Sequence, residues 1–325
     1  NYFTGIRRPR WCREIDARLF DNIVANSSEE CDIFHGWATF SLKSSKFHKK
    51  KGSKFILDRA CPHILFQESL LKEEAELTNT VYEPASSKFL DRCLEEYELA
   101  DKIIVPSNYS ASSFIKQGFR KQKIQTLKLH ANFIPKRKKV WSTKKSTFIL
   151  GTIGGNPLRK GLIYLVNAWQ NLKLKNSTLL IKTSETELIK NKELHEKILR
   201  DETINIVPYV KNIEDFYLNC DLFCLPSIDD GFGLVVLEAM SVGIPVITTK
   251  NVGASEFIKH NINGFVGEKR DISFIEDKIF KLYSDLDLLK NFSNQAFYAY
   301  NDYINSSDNY HANIINYYKN IIEEK

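Results

Sequence analysis

The chain has 325 residues, of which 43% are apolar, so it can bury one large core or two cores of ordinary domain size. No stretch approaches 18 consecutive apolar residues, the N-terminus lacks a signal-peptide pattern, and the six cysteines include no C-x-x-C pair. These observations argue against a membrane-spanning segment, a zinc site and a disulfide framework. They predict a globular protein in a reducing, cytoplasmic setting, with Cys220 and Cys224 as small core residues.

Charge is divided unevenly along the chain, although the net charge is only +6. Residues 1–150 hold 27 basic and 17 acidic residues, which gives +10, whereas residues 151–325 hold 19 and 23, which gives −4. This asymmetry fits an anionic partner for the first half, and an ordinary solvated surface fits it equally well. Nucleic acid is not expected, because the basic residues are not interleaved with a known recognition motif.

The first part of the chain alternates short apolar runs with helical patterns from Asp32 onward. The runs are "DIFHGW", "KFILDR", "DKIIVPS" and "KIQTLKL", and the helices are expected at about 65–77, 86–100 and 109–117. Such alternation predicts a parallel sheet covered by helices. We assign an N-terminal domain to residues 1–132, incomplete at its start, and a linker to residues 133–146, which are polar, basic and contain Pro135.

A second alternating series predicts a C-terminal domain over residues 147–325. Its apolar runs are "STFILGTIGG", "STLLIK", "INIVPYV", "DLFCLPS", "IPVITT" and "GFVG". The last helical segment, 307–323, is long enough to pack back on the N-terminal domain. The predicted fold class is α/β, with two Rossmann-like domains whose parallel sheets face each other across a cleft, which is the expected ligand site.

The stretch "DLFCLPSIDDGFGLVVLEAMSVGIPVITT" is predicted to form a buried strand, a loop and a helix that begins at about Leu234. The loop is Asp230-Gly231-Phe232-Gly233. Its glycines allow a ligand to approach the backbone. The N–H groups around Gly233 and Leu234 are donors at a helix start, where an anion such as phosphate is favoured.

Two acids accompany that helix start, Asp230 in the loop and Glu238 eight positions later within an apolar run. A carboxylate does not attract a phosphate, but it accepts hydrogen bonds from the paired hydroxyls of sugars and riboses. We therefore predict that the two acids bind two hydroxylated parts of one ligand, on either side of a phosphate. The alternative is that Asp230 caps the helix and Glu238 forms a buried ion pair.

This stretch, together with "GASEFIKHNINGFV", resembles the donor-binding signature of the family 4 retaining glycosyltransferases, whose fold is called GT-B. The family carries an E-x7-E pair, which Asp230 and Glu238 match, with Asp in place of the commoner Glu at the first position. The resemblance implies that Glu238 binds the nucleotide ribose and that Asp230 contacts the transferred sugar.

The segment "GTIGGNPLRKGLIYLVNAW" resembles the first strand of the same family's donor domain, where a lysine of a "KG" pair contacts the donor diphosphate. Lys160 matches that lysine. A departing nucleoside diphosphate gains negative charge, which fixed cations stabilise. Many relatives have an arginine shortly before the lysine, where this chain has Gly154 and Gly155, so Arg159 is expected to supply the second charge. A Walker A loop and a Rossmann dinucleotide fingerprint both fail to match here.

The first half resembles the family's acceptor domain in "DRACPHILFQESLLKEEAEL" and "RCLEEYELADKIIVPSNYSASSFIKQGF". A histidine after a strand end serves the family beside the reacting sugar, and His63 is our candidate, with His35 as its rival. Family members open with a strand and a glycine-rich loop, and nothing before Asp32 resembles them. We therefore expect either a truncated chain or omitted residues.

The resemblance implies a retaining, metal-independent glycosyltransferase that moves a sugar from a nucleotide-sugar donor, such as a UDP-sugar or GDP-sugar, to a hydroxyl acceptor. The acceptor would be a glycan or lipid-linked, in polysaccharide, lipopolysaccharide or other glycoconjugate biosynthesis. Neither a cofactor besides the donor nor a metal is expected, since we identify no Asp-x-Asp pair and no His cluster with ligand spacing. The basic, aromatic start and "KFHKKKGSKF" fit peripheral contact with an anionic membrane or a solvated face.

Two other functions remain open at this point. A GT-B sugar-nucleotide epimerase would bind the same donor, but it would need further acids and histidines to remove and return protons. An inactive sugar-nucleotide-binding subunit of a glycosyltransferase complex would fit the missing glycine-rich loop.

Overall fold

The computed structural model describes residues 10–27, 29–131, 133–141, 147–306 and 310–323, with side chains from Glu14 onward. The chain divides into two compact units. The first unit comprises Asn1–Glu68, Glu83–Leu127 and Ile314–Lys325, as far as these are described, and the second comprises Ser69–Tyr82 and Lys128–Asn313. Residues 1–9 of the basic, aromatic start and residues 142–146 of the predicted linker lie outside the described ranges.

The described residues form two sheets in which every paired strand is parallel. The first unit has the order β1-β2-β3-β4 and the second β10-β9-β8-β5-β6-β7. The strands are β1 (Ile33–Trp37), β2 (Lys54–Asp58), β3 (Lys102–Val105), β4 (Ile124–Thr126), β5 (Phe148–Ile153), β6 (Ser177–Lys182), β7 (Ile204–Ile206), β8 (Leu222–Leu225), β9 (Val246–Thr249) and β10 (Gly264–Gly267). The predicted α/β class with two parallel sheets is confirmed.

Helices precede, separate and follow these strands, and α3, α4 and α5 lie where the sequence pattern predicts helices. They are α1 (Arg10–Ser27), α2 (Leu42–Lys50), α3 (Ile64–Leu77), α4 (Ser87–Leu99), α5 (Asn108–Lys116), α6 (Leu162–Leu172), α7 (Glu185–Leu188), α8 (Lys192–Leu199), α9 (Ile213–Asn219), α10 (Leu234–Ser241), α11 (Ile272–Ser284), α12 (Leu286–Asn305) and α13 (Tyr310–Glu323). Among the described residues, no helix is both long and apolar enough to cross a bilayer.

Each unit has its own core. In the first unit Phe55, Tyr97 and Phe114 are fully buried beneath the sheet. In the second unit two apolar clusters cover the sheet, and both Cys220 and Cys224 are fully buried within them, as predicted. Burial raises the pKa of the Cys224 thiol, so this sulfur remains protonated in the fold.

The linear domain boundaries stay a prediction, and the structure adds two details to them. The chain from Ser69 to Tyr82, which includes most of α3, belongs to the second unit. The end of α13 belongs to the first unit, where Tyr318 Oη lies 2.5 Å from His35 Nδ1. Residues 133–141 have no helix or strand.

Helix α1 is an element that the sequence analysis missed, since it placed nothing regular before Asp32. From Glu14 onward, where its side chains are described, α1 buries only small or acidic residues, namely Ala17, Asp21 and Ala25, so no apolar stripe marks this part of its inward face. This helix is therefore held by specific contacts with other elements rather than by burial of an apolar face.

The carboxylate of Asp21 is the main polar anchor of α1. It accepts hydrogen bonds from Lys43 N at 2.7 Å, Ser44 N at 2.9 Å and Ser44 Oγ at 2.6 Å, and it pairs with Arg92 Nη2 at 2.5 Å. It thereby caps α2, whose own N-cap side chain makes no such bond. Burial alone would raise the pKa of Asp21, but these hydrogen bonds outweigh burial and lower its pKa below 3.8.

We expect Asp21→Asn to lower the free energy of unfolding by about 3 kcal/mol at pH 7, because an amide cannot accept from all four donors. Since the folded-state pKa is lowered, the stabilisation is present above the unfolded-state pKa and is lost as pH falls through the folded value. Urea unfolding of both proteins at pH 7 and at about pH 3 measures this. The exposed Asp91→Asn is the control, and an equal loss in that variant would contradict the assignment.

Candidate active site

Several of the donor-site residues predicted from the sequence lie in loops at the point where the second sheet reverses its strand order. Strands β6 and β7 lie on one side of β5, and β8, β9 and β10 lie on the other. In open parallel sheets, the loops at the carboxyl ends of the two strands flanking such a point diverge and leave a crevice that binds ligands. The loop after β5 carries Arg159 and Lys160, and the loop after β8 carries Asp230.

Hydrogen bonds fasten these two loops together. The backbone oxygen of Arg159 accepts from Ile228 N at 2.9 Å and from Asp229 N at 3.3 Å. In return, Arg159 Nη1 donates to the backbone oxygen of Asp229 at 3.0 Å. Asn156 Oδ1 accepts from Arg159 N at 3.1 Å and fixes the turn that precedes it. The basic residues are thus held on a braced loop.

Gly161 explains why a glycine follows the lysine. Its φ is +63°, and a Cβ at this position would lie 2.2 Å from the backbone oxygen of Pro226, at the end of β8. A side chain would therefore push the β5 loop away from β8. The close approach of the two backbones places Lys160 beside the β8 loop.

Asp230 binds both cations of the β5 loop. Lys160 Nζ donates to Asp230 Oδ2, and Arg159 Nη1 lies 3.4 Å from Asp230 Oδ1. Asp230 is only 7% exposed, and its backbone N–H donates to Asn251 O at 2.9 Å. Burial would raise the pKa of Asp230, but the charges of Lys160 and Arg159 outweigh it and lower the pKa below 3.8. Asp230 is therefore ionised at neutral pH.

The loop after Asp230 meets α10 through a backbone that only glycine can adopt comfortably. Gly233 is the N-cap residue of α10 with φ +82°, and a Cβ there would lie 2.6 Å from Val252 Cγ1. Phe232 is 3% exposed and anchors the loop in the core, while its backbone oxygen accepts from Ala254 N at 2.6 Å. The side chain of Phe232 is thus enclosed in the core, and Leu234, the first residue of α10, is half-buried.

Glu238 lies one turn into α10 and is 5% exposed. Its Oε2 accepts a hydrogen bond from Tyr217 Oη at 2.6 Å. Within the described part of the chain it forms no ion pair, and no side chain caps α10. The alternative in which Asp230 caps the helix and Glu238 is ion-paired is therefore not what the structure shows.

His63 lies in the first unit, immediately before α3, and is 1% exposed. The rings of Tyr97 and Phe114 lie 5.0 Å from its ring, and its Nδ1 accepts from Leu65 N at 3.3 Å. Burial, followed by the charge of Arg59, lowers the pKa of His63 to about 4, so the imidazole is neutral. These are the surroundings of a core residue, and the catalytic role of His63 stays a prediction.

His35, the rival candidate, lies on β1 and is more open. Its Nδ1 contacts Tyr318 Oη, and its Nε2 lies 3.7 Å from Asp58 Oδ2 at the end of β2. Burial lowers the pKa of His35 and raises the pKa of Asp58 to about 6. Asp58 is the last residue of β2 and lies at the carboxyl edge of the first sheet, and His35 contacts it from the middle of β1.

Among the described residues, no group of three or more His, Cys, Asp or Glu side chains is arranged to hold a metal ion. Contrary to the expectation from the sequence, the chain does contain an Asp-x-Asp pair, Asp285-Leu286-Asp287. Asp285 is the N-cap of α12, and its Oδ1 accepts from Leu288 N at 2.9 Å, which is a structural role.

Two residues that shape the site were missed from the sequence. Asn251 braces the β8 loop, because its Nδ2 donates to Ile228 O at 2.9 Å and its backbone oxygen accepts from Asp230 N. Tyr217 binds Glu238 from α9. Neither belongs to a motif of regular spacing, so only the folded chain brings them to the acids.

The chain is similar to known glycosyltransferases. The family described as "Glycosyl transferases group 1" matches residues 133–298, a little over half of the chain. An uncharacterized glycosyltransferase of Haemophilus influenzae is 26% identical over 196 residues, which are 59% of this chain and 52% of that protein. The capsular polysaccharide biosynthesis glycosyltransferase CapM of Staphylococcus aureus is 30% identical over 42% of this chain and 37% of its own length. The matches thus span about half or less of these relatives.

A solved structure shows the same fold. The Anabaena protein Alr3699/HepE, in complex with UDP and glucose, superposes with a TM-score of 0.67 at 18% identity, covering 86% of this chain and 76% of that one. The fold of the chain is therefore GT-B, with one parallel α/β sheet in each unit.

We expect Gly161→Ala to lower the free energy of unfolding by about 3 kcal/mol, because the new Cβ meets a backbone oxygen and the backbone is left-handed. Gly155→Ala is the matched control on the same loop, since a Cβ there meets nothing within 4 Å and its change should stay within about 0.5 kcal/mol. Urea unfolding of the two variants measures the difference. Equal stability would show that the two loops do not need this contact.

Proposed function

This chain belongs to the glycosyl transferases group 1 family, and from that premise we propose that it is a retaining, family 4 glycosyltransferase. In this proposal it moves a sugar from a nucleotide-sugar donor to a hydroxyl acceptor. The observation that carries the proposal is the meeting of Lys160, Arg159 and Asp230 where the second sheet reverses its strand order, with Glu238 one turn into the following helix.

The two cations suit the departing diphosphate. In the proposed reaction the bond between the anomeric carbon and the diphosphate oxygen breaks, and the bonding electrons leave with the nucleoside diphosphate. Lys160, Arg159 and the backbone N–H groups near Gly233 stabilise the charge that develops there. The diphosphate must compete with Asp230 for Lys160 and Arg159, which both contact this carboxylate.

The acceptor hydroxyl attacks the anomeric carbon from the face that the diphosphate leaves, so the anomeric configuration is kept. An oxygen of the donor phosphate takes the proton of the attacking hydroxyl, and no protein base is needed for this step. His63 stays our candidate for a group beside the reacting sugar. Its buried, neutral imidazole would have to become accessible for that role.

The two acids suit hydroxyl recognition. Glu238 offers one oxygen that accepts no hydrogen bond within the described residues, which suits a ribose hydroxyl. We propose that the ionised carboxylate of Asp230 accepts a hydrogen bond from a hydroxyl of the transferred sugar. Gly231 and Gly233 let that sugar approach the backbone.

Two relatives support the donor and acceptor classes that we propose. HepE binds UDP and glucose, and CapM acts in capsular polysaccharide biosynthesis, so we propose a UDP-sugar or GDP-sugar donor and a glycan or lipid-linked acceptor. We further propose a cytoplasmic protein that contacts an anionic membrane peripherally through its basic half. Exposed Lys43, Lys46 and Lys50 on α2 would contribute to that contact.

We expect Lys160→Ala and Glu238→Ala each to lower kcat/KM for transfer by about 100-fold or more, because each removes a contact to the donor. Lys192→Ala is the control, since that side chain is 89% exposed on α8. Transfer from UDP-sugars and GDP-sugars to a panel of glycan acceptors measures the rates, and thermal unfolding checks the fold. Wild-type rates in either site variant would refute the site assignment.

We expect transfer to retain the anomeric configuration, because the acceptor attacks the face that the diphosphate leaves. We also expect EDTA to leave the transfer rate unchanged, because the positive charges proposed to bind the diphosphate belong to side chains. Nuclear magnetic resonance of the first product formed reports the anomer. The same assay without acceptor should leave most of the donor unchanged, whereas an epimerase converts the donor alone. Donor binding without transfer to any acceptor would instead favour an inactive binding subunit.

A further inference from the structure

Tyr217 carries a hydroxyl into one of the two apolar clusters of the second unit. It lies on α9, is fully buried, and is surrounded by aromatic rings, with Phe216 at 5.7 Å and Phe223 at 5.5 Å between centroids. A buried hydroxyl costs free energy unless it is hydrogen-bonded. The partner of this one is Glu238 Oε2 at 2.6 Å.

This contact gives a hydrogen bond to only one of the two carboxylate oxygens of Glu238 within the described residues. Oε2 is occupied from the core side, so the carboxylate plane cannot turn freely, and Oε1 accepts no hydrogen bond within the described residues. Burial, and then the charge of Glu238, raises the pKa of Tyr217 well above its ordinary value. The phenol therefore stays protonated and acts as a permanent donor, and Glu238 must act as the acceptor.

We propose that Tyr217 is a positioning residue that holds Glu238 Oε2 and thereby aims Oε1 at a ribose hydroxyl of the nucleotide donor. The inference rests on the proposed function, since it concerns the same donor site. It goes beyond that function because Tyr217 belongs to no motif of the sequence and would not touch the donor itself.

A purely structural role would have a different signature. If Tyr217 served only to fill the core, its hydroxyl would affect stability and would affect all ligands of the second unit alike. If it orients Glu238, its hydroxyl affects only ligands that present ribose hydroxyls to that acid. The ligand dependence of the loss therefore separates the two roles.

The test compares Tyr217→Phe with wild type in the full chain. Isothermal titration first identifies which of UDP, GDP and ADP the wild type binds most tightly. The affinities for that diphosphate and for its 2′,3′-dideoxy analogue are then measured. Tyr303→Phe is the matched control, because Tyr303 belongs to the same apolar cluster and its hydroxyl donates to the backbone oxygens of Lys128 and Leu129.

We expect Tyr217→Phe to weaken binding of the ribonucleoside diphosphate by about tenfold and to leave binding of the dideoxy analogue unchanged. Adding Tyr217→Phe to Glu238→Ala should weaken binding no further, and Tyr303→Phe should bind both ligands as wild type does. Thermal unfolding of each variant checks that the fold persists.

Two results would overturn the inference and leave the proposed function standing. One is an unchanged affinity of Tyr217→Phe for the ribonucleoside diphosphate. The other is an equal loss for the diphosphate and its dideoxy analogue, which would assign Tyr217 to the core alone. If the wild type bound none of the three diphosphates, the proposed function would fail, and this inference with it.

Discussion

The ion pairs that Asp230 makes with Lys160 and Arg159 are the interaction on which the second unit's site depends. They join the loop after β5 to the loop after β8, which are far apart in sequence and adjacent in the sheet. Two neighbouring cations would otherwise repel each other, and a buried carboxylate would otherwise be uncompensated. In the proposed reaction a diphosphate that binds Lys160 and Arg159 shares these cations with the carboxylate of Asp230.

Buried carboxylates in this chain differ in how fully they are hydrogen-bonded, and that difference separates scaffold from site. Asp21 accepts from three donors of α2 and pairs with Arg92, so no capacity is left for a ligand. Glu238 is also buried, yet among the described residues only the hydroxyl of Tyr217 donates a hydrogen bond to its carboxylate. An acid that is buried at a cost and left partly unsatisfied indicates function more clearly than burial alone.

Much of the fold followed from the sequence, because alternating apolar runs and helices constrain a parallel sheet strongly. The meeting of Lys160 with Asp230 was also foreseeable in outline, since the carboxyl ends of neighbouring parallel strands share one edge. The direct ion pair between the two side chains could not be foreseen, because it depends on the close backbone contact at Gly161. Helix α1 was missed because its buried face is small and polar. The position of His63 after a strand suggested an accessible histidine, whereas aromatic residues from α4 and α5 enclose it.

The contact between Gly161 and Pro226 also limits how this site can be redesigned. The location of Lys160 depends on a close contact between two backbones, which a Cβ at position 161 would disrupt. Attempts to alter the sugar preference of the proposed transferase therefore have more room at the half-buried Leu234 and Val235 of α10 than in the loop after β5. Engineered variants should therefore keep Lys160, Gly161 and Pro226 unchanged.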